Sequence, residues 1–286
     1  MRYAVLVAGP AGSGKSTFCT ALLTHLATMK RTAHLFNLDP AIGPSEYHVQ
    51  PSIDIRELIS LEDVMEEMEL GPNGGLVYCF EYLLQNLDWL DDEIGDYDND
   101  YIIIDCPGQI ELYTHHPLLP KLISHLSIQS IRICAVYLLE SQFMEDRSKF
   151  FAGVMSAMSA MVNLEVPHLN LISKMDLVSK KSGKGTGMRK ALIERYMETD
   201  PLLLVDEPHS RTNPKFHALN QAIVQLIEDH NMVQFLPLDV TDEDSLQGIL
   251  EHIDYMLQYG EDEEPKEPND MDDGDFVEGD DEVEFD

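Results

Sequence analysis

Short apolar runs rich in β-branched and aromatic side chains alternate along this chain with longer stretches of helical period, the pattern of βαβ units around a parallel sheet. The strands it predicts are Tyr3–Ala8, Thr32–Leu38, Tyr101–Asp105, Arg132–Leu138, His168–Ile172 and Val233–Pro237. Polar or glycine-bearing residues follow each of them, and open α/β sheets hold their ligands there, outside the carboxyl ends of the strands. About sixty residues separate the second and third strands, too many for one crossover helix. They read as an insertion over about 53–90, made of two helices, Ile53–Met68 and Leu76–Leu90, joined by Gly71-Pro72-Asn73-Gly74-Gly75. From Ser179 to Thr212 the chain is charged and broken by Gly183, Gly185, Gly187, Pro201 and Pro208, which predicts a partly mobile excursion with one short helix near Met188–Met197. Helix resumes over Lys215–His230 and Asp242–Tyr259. A stripe of Val154, Met155, Ala157, Met158, Met161 and Val162 is read as core. The expectation is a three-layer α/β domain over residues 1–260 with a mainly parallel sheet and a helical insertion.

Composition changes this picture at one end. The chain has 52 Asp and Glu against 19 Lys and Arg, a net charge of −33. Residues 261–286 hold 15 acids and one Lys with almost no aliphatic side chains, so they cannot bury enough surface to fold and are expected to form a disordered acidic tail. The remaining 260 residues still carry −19. Direct binding to a nucleic-acid backbone would need a local basic stripe, and the sequence contains none. No apolar run approaches the roughly 18 residues needed to cross a bilayer, and Tyr3–Ala8 is too short for a signal peptide. Cys19, Cys79, Cys106 and Cys134 lie far apart, with no CxxC pair and no zinc spacing, which reads as reduced thiols in a cytosolic or nuclear compartment.

The chemistry begins at Gly9-Pro10-Ala11-Gly12-Ser13-Gly14-Lys15-Ser16-Thr17, which matches G-x-x-x-x-G-K-[ST] between a strand and a helical segment. This is the pattern of a P-loop NTPase. Gly12, Ser13 and Gly14 let backbone N–H groups converge on phosphate oxygens, the helix adds its positive end, and Lys15 reaches the β- and γ-phosphates. Ser16 is the expected Mg²⁺ ligand, with Thr17 close to the α-phosphate. Asp105-Cys106-Pro107-Gly108 fits the D-x-x-G element of nucleotide switches, its carboxylate orienting Mg²⁺ through water. Gln109 beside it reads as positioning an attacking water or as a solvated turn residue. Asp39, after the second strand, reads as orienting water or as an Asx turn before Pro40.

Ser173-Lys174-Met175-Asp176 resembles the [NT]-K-x-D guanine-reading element. An Asp there accepts from N1–H and the 2-amino group of guanine, whereas facing adenine it would be left unpaired. Lys174 can lay its stem over the base, and Ser173 departs from Asn or Thr while keeping a hydroxyl. A simple helix cap is the alternative for this segment. On local physics Gly71-Pro72-Asn73 is an interhelical turn in which Gly ends one helix and Asn caps the next.

Taken together, the P-loop, Asn37–Ala41, Gly71–Gly75, Asp105–Glu111 and Ser173–Asp176 resemble the GPN-loop GTPases over about residues 3–260. Asp54-Ile55-Arg56-Glu57-Leu58, Ser141-Gln142-Phe143-Met144 and Gln258-Tyr259-Gly260-Glu261-Asp262 are most similar to the third paralogue class of that family. The resemblance implies a dimerising, Mg²⁺-dependent GTPase that converts GTP to GDP and phosphate. Asn73 of one subunit would enter its partner's site, as a homodimer or as a heterodimer with the first paralogue class. It also implies RNA polymerase subunits or assembly factors as partners. The associated role is RNA polymerase II assembly and nuclear import, extending to polymerase III, from a cytoplasmic protein that shuttles to the nucleus. Within that frame the expected catalytic set is Asp39, Asn73, Asp105, Gln109 and Glu111. Glu111 supports the water-handling group without a proton-transfer role. No arginine finger is evident in the motifs, so an element from a partner is expected. Two alternatives stay open: a nucleotide-gated assembly chaperone with little hydrolysis, and a P-loop kinase using ATP.

Overall fold

The computed structural model describes residues 2–43, 49–95, 100–182, 190–205, 217–229 and 233–261. The expected disordered tail beyond Glu261, and residues 183–189 and 206–212 of the glycine- and proline-broken excursion, lie outside these residues; the short helix expected near Met188–Met197 is present over Lys190–Met197. Among them, seven strands form one sheet in the order β3-β2-β4-β1-β5-β6-β7, with every pairing parallel. The strands are β1 (Arg2–Ala8), β2 (Ala33–Asn37), β3 (Ile53–Asp54), β4 (Tyr101–Asp105), β5 (Ile131–Glu140), β6 (His168–Ser173) and β7 (Phe235–Pro237). Parallel neighbours need crossovers that cover both sheet faces, so the central strands are apolar on both sides. In β1, Ala4, Leu6 and Ala8 enter one core while Tyr3, Val5 and Val7 enter the other.

On one face lie α1 (Lys15–Thr28) and the last described helix, Glu243–Leu257. The other face carries the insertion, α2 (Ile55–Leu58), α3 (Leu61–Glu67), α4 (Pro72–Gln85) and α5 (Leu87–Ile94). It also carries α6 (Glu111–Thr114), α7 (Leu118–Ile128) and α8 (Arg147–Leu164). Then come α9 (Met175–Ser182), α10 (Lys190–Met197), α11 (Leu202–Val205) and α12 (His217–Asp229), so that Glu243–Leu257 is α13. All four cysteines are buried free thiols. Of the methionine-rich stripe, Val154, Ala157 and Met158 are core, but Val162 is 65% exposed.

The insertion departs from its expected two helices. Ile53 and Asp54 form the short edge strand β3 instead of opening a helix, because Ile53 and Ile55 are both buried and Asp54 caps α2 by accepting from the Arg56 N–H. The helix expected over Ile53–Met68 then breaks at Ile59, whose backbone is extended, and restarts at Ser60. Ser60 Oγ accepts from the Asp63 N–H at 3.2 Å and donates to its carboxylate at 2.6 Å, a reciprocal cap that starts a helix in its own right. The second helix begins earlier than expected, at Pro72, and gives way to α5 at Asn86.

Candidate functional site

The loop after β1 is shaped by three glycines at positive φ: Gly9 at 141°, Gly12 at 79° and Gly14 at 89°. A Cβ on Gly9 would lie 2.4 Å from the Leu138 carbonyl oxygen, so the loop can follow the sheet edge only with glycine there. Gly14 caps α1, which points its N-terminus into the loop. Ser13 is buried with no hydrogen-bond partner for its hydroxyl among the described residues. Lys15 is buried too and rests its ammonium on the Pro10 carbonyl at 3.2 Å. Burial pushes the Lys15 pKa down, opposed by the nearby Asp105, Cys106 and Asp39. A buried cation and converging amides at a helix N-terminus make a phosphate cradle.

Asp105 ends β4 beside this cradle, fully buried, with the Cys19 thiol on α1 nearby. Burial and the nearby Asp105 together push the Cys19 thiol up, so it stays protonated. The following loop lies directly on the glycine loop: a Cβ on Gly108 would fall 2.8 Å from Ala11 Cα. The Tyr113 hydroxyl, buried at the end of this segment, donates to the Pro107 carbonyl. Asn163 on α8 in turn donates to the Tyr113 carbonyl at 2.8 Å. Nothing in the D-x-x-G pattern pointed to Tyr113, although an aromatic five residues beyond Gly108 is the visible trace of this prop.

Ala11, Asp39, Pro72, Leu76, Gly108 and Gln109 line a common cleft of about 310 Å³. The Asx turn expected as one reading of Asp39 is present, with Oδ1 accepting from the Ala41 N–H at 2.9 Å, and Asp39 also lines the cleft. Gln109 is half-buried there, whereas Glu111 is exposed at the start of α6 and does not line it. The Gly-Pro-Asn segment is no free turn. Gly71 takes the cap position, Pro72 is the first helical residue and Asn73 the second, so Asn73 is not the cap expected of it. Its side chain is exposed, one residue from Pro72 at the cleft.

The loop after β6 docks on the other flank of the cradle. Ser173 Oγ donates to the Ser13 carbonyl at 2.6 Å, giving its hydroxyl a structural task in the joint. Lys174 reaches the Gly12 carbonyl at 2.8 Å and Glu140 at 3.0 Å, and its backbone takes a left-handed φ of 60°. Ser141 Oγ holds the Lys174 carbonyl at 3.0 Å. Asp176 then lies half-buried in the first turn of α9. The Met175 N–H donates to the Leu238 carbonyl at 3.2 Å, which brings the β7–α13 loop alongside. That loop was assigned no part in the sequence; its Asp239 carboxylate closes a turn on Thr241 at 2.9 Å. With Ser16 and Thr17, Val240 and Thr241 line a second cleft of about 450 Å³ along α1.

The Ser16 hydroxyl opens α1 after Lys15, and the Asp105 carboxylate ends β4; these are the two oxygen donors the sequence offers a metal. Hard oxygen ligands few in number suit Mg²⁺, which keeps waters and takes its remaining ligands from phosphate. Among the described residues no cluster of three or more His, Cys, Asp or Glu could hold a metal by itself, and no helix is long and apolar enough to cross a membrane.

A glycine loop feeding a helix, a buried carboxylate on the adjacent strand and a loop after β6 hydrogen-bonded to the glycine loop define a P-loop nucleotide-binding protein. A family model described as "Conserved hypothetical ATP binding protein" matches residues 7–259. The chain is 69% identical to GPN-loop GTPase 3 of Mycosarcoma maydis, over 96% of its length and 99% of that protein. It is 58% identical to GPN-loop GTPase 3 of Schizosaccharomyces pombe, over 94% and 96% respectively. It belongs to the GPN-loop GTPase family. The crystal structure of a GTPase from Pyrococcus abyssi in its apo form shares the fold, with a TM-score of 0.68 at 22% identity over 89% of this chain and 97% of that one.

Proposed function

We propose that this chain binds GTP with Mg²⁺, hydrolyses it to GDP and phosphate, and works as a dimeric switch. The observation that carries the reading is the direct docking of the Ser173–Asp176 loop on the glycine loop, through Ser173 to Ser13 and Lys174 to Gly12. A carboxylate held near the base end is matched to the two donors on guanine, and the loop that holds it shares hydrogen bonds with the phosphate cradle. Lys15 and the amides of Gly12–Lys15 offset charge on the phosphates. Mg²⁺, when bound, would be held by Ser16 and by Asp105 through water and would neutralise the phosphate oxygens. Asp39 and Gln109, which share the cleft with Pro72, handle the attacking water, with Glu111 in a supporting position outside it. Asn73 acts across a dimer, with a second copy or a first-class paralogue. The names of the relatives support the guanine specificity and the hydrolysis. Resemblance to the family supports a role in RNA polymerase II assembly and nuclear import, extending to polymerase III, with polymerase subunits or assembly factors as partners and a cytoplasmic site with nuclear shuttling. The acidity of the chain argues against direct nucleic-acid binding.

The test is single-turnover hydrolysis of GTP in Mg²⁺ by the wild type and by Lys15→Ala. The wild type should release phosphate, and Lys15→Ala should lose tight triphosphate binding because it removes the one mobile cation aimed at the β- and γ-phosphates. Wild-type affinity in Lys15→Ala would mean that the glycine loop is not the phosphate site.

A further inference from the structure

Arg56 joins two parts of the site that the sequence motifs treat separately. Its guanidinium grips the Asp54 carboxylate in a fork, with Nε 2.9 Å from Oδ1 and Nη2 2.5 Å from Oδ2. Nη1 extends past it to the Ile42 carbonyl at 3.1 Å. Asn37, wholly buried at the end of β2, donates to the same Asp54 Oδ1 at 2.9 Å. The Asn37 amide also brackets Asp39, donating to its carbonyl at 3.2 Å and accepting from its N–H at 3.0 Å. The excursion from Asp39 to Ile42 is therefore held at one end by Asn37 and at the other by Arg56, and both holds converge on Asp54. Burial raises the Asp54 pKa, but Arg56 and Asn37 overcome it and keep the carboxyl below its ordinary range. Asp54 is also the residue at which the chain leaves β3 for α2 and the insertion bearing Gly71-Pro72-Asn73.

We infer that Arg56 is a positioning residue for hydrolysis, fixing the Asp39–Ile42 loop against the root of the insertion so that Asp39, Gln109 and the start of α4 keep their common cleft. The inference rests on the GTPase reading of the site. Arg56 acts through the loop it holds and is not among the residues lining the cleft. A bidentate pair with a third hydrogen bond is a geometry that only arginine supplies, because lysine offers a point charge without a fork. GDP would be held by the cradle and the base loop, away from this network. Loss of Arg56 should therefore separate turnover from GDP binding.

The experiment compares full-length wild type, Arg56→Gln and Arg56→Lys in kcat and KM for GTP, in GDP affinity, and in amide hydrogen exchange of the nucleotide-free chain. Arg56→Gln should lower kcat about tenfold or more while GDP affinity stays within about twofold, with a smaller loss in Arg56→Lys. Exchange should quicken at the Ala41 and Ile42 amides and not at Ser13–Lys15. A kcat for Arg56→Gln within about twofold of wild type overturns the inference, as does a parallel loss of GTP and GDP binding with faster exchange throughout the glycine loop. If the wild type hydrolyses no GTP, the reading of the site fails, and the exchange comparison still decides on Arg56: unchanged rates at Ala41 and Ile42 overturn its role.

Discussion

At the scale of single residues, the site is built from close approaches that only small side chains permit. Two glycines illustrate different consequences of the same constraint. Gly9 combines a φ of 141° with a contact to the Leu138 backbone, so a side chain there would push β1 from β5 and damage the fold. Gly108 lies at the surface of two loops, and a Cβ would meet Ala11 Cα at 2.8 Å and its Cβ at 2.9 Å. Neither atom is the end of a flexible side chain, so the loops must part. Gly108→Ala should accordingly lower single-turnover GTP hydrolysis by about tenfold or more, because sub-ångström placement of the switch loop governs reactivity, while the melting temperature shifts by only about a few degrees. Hydrolysis at the wild-type rate in the folded variant would mean that the contact with Ala11 does not matter to the reaction.

At the scale of elements, the six longer strands were readable because two-sided burial in a parallel sheet leaves continuous apolar runs such as Tyr101–Asp105, whose bounds agree with the structure. The edge strand was not, since two residues leave no periodicity to read. The breaks in the insertion carried a local signal, Ser60-x-x-Asp63, that a reading based on apolar spacing passes over. Motifs with fixed spacing were legible in their placement, the glycine loop between β1 and α1 and Ser173–Asp176 between β6 and α9. Tyr113, Arg56 and the Val240–Thr241 wall were not: Arg56 grips Asp54 only two residues away, but its hold on the Ile42 carbonyl, like Tyr113 on Pro107 and Val240–Thr241 beside α1, is a contact made only by the fold. The start of α4 is the element on which the proposed dimer chemistry depends. Pro72 at its first position fixes the backbone, and Asn73 next to it is exposed, with both a donor and an acceptor on its amide. If it completes a partner's site, Asn73→Ala subunits should regain hydrolysis when mixed with a Lys15→Ala partner that keeps Asn73. Wild-type hydrolysis by Asn73→Ala in every pairing would reduce Asn73 to a first-turn residue.

At the scale of the whole molecule, the two poles of the sheet have separate tasks. The carboxyl ends of β1, β2, β4, β5 and β6 carry the candidate site. At the opposite pole the end of α13 is tied down: Arg31 pairs with Asp254 at 2.7 Å and stacks 4.4 Å over the Tyr259 ring, and the Gly260 N–H reaches the Tyr3 hydroxyl at 3.3 Å. The Tyr101 hydroxyl donates to the same Asp254. Glu261, the last described residue, thus lies toward the amino-terminal end of β1, away from the glycine loop. Truncation after Glu261 should leave GTP affinity within about twofold, since the tail is acidic and every described hydrogen bond of the cradle and of the Ser173–Asp176 loop comes from residues before Glu261; a severalfold fall would contradict this division of the molecule.

The central claim, that the loop after β6 reads guanine on a P-loop cradle, is tested most directly by nucleotide competition in Mg²⁺ with the wild type and Asp176→Asn. The account predicts that the wild type prefers GTP over ATP by about hundredfold or more, and that Asp176→Asn loses this preference and gains xanthosine triphosphate, whose 2-oxo group meets the new amide donor. Unchanged discrimination between GTP and ATP in Asp176→Asn, or a wild type that ATP displaces as readily as GTP, would contradict it.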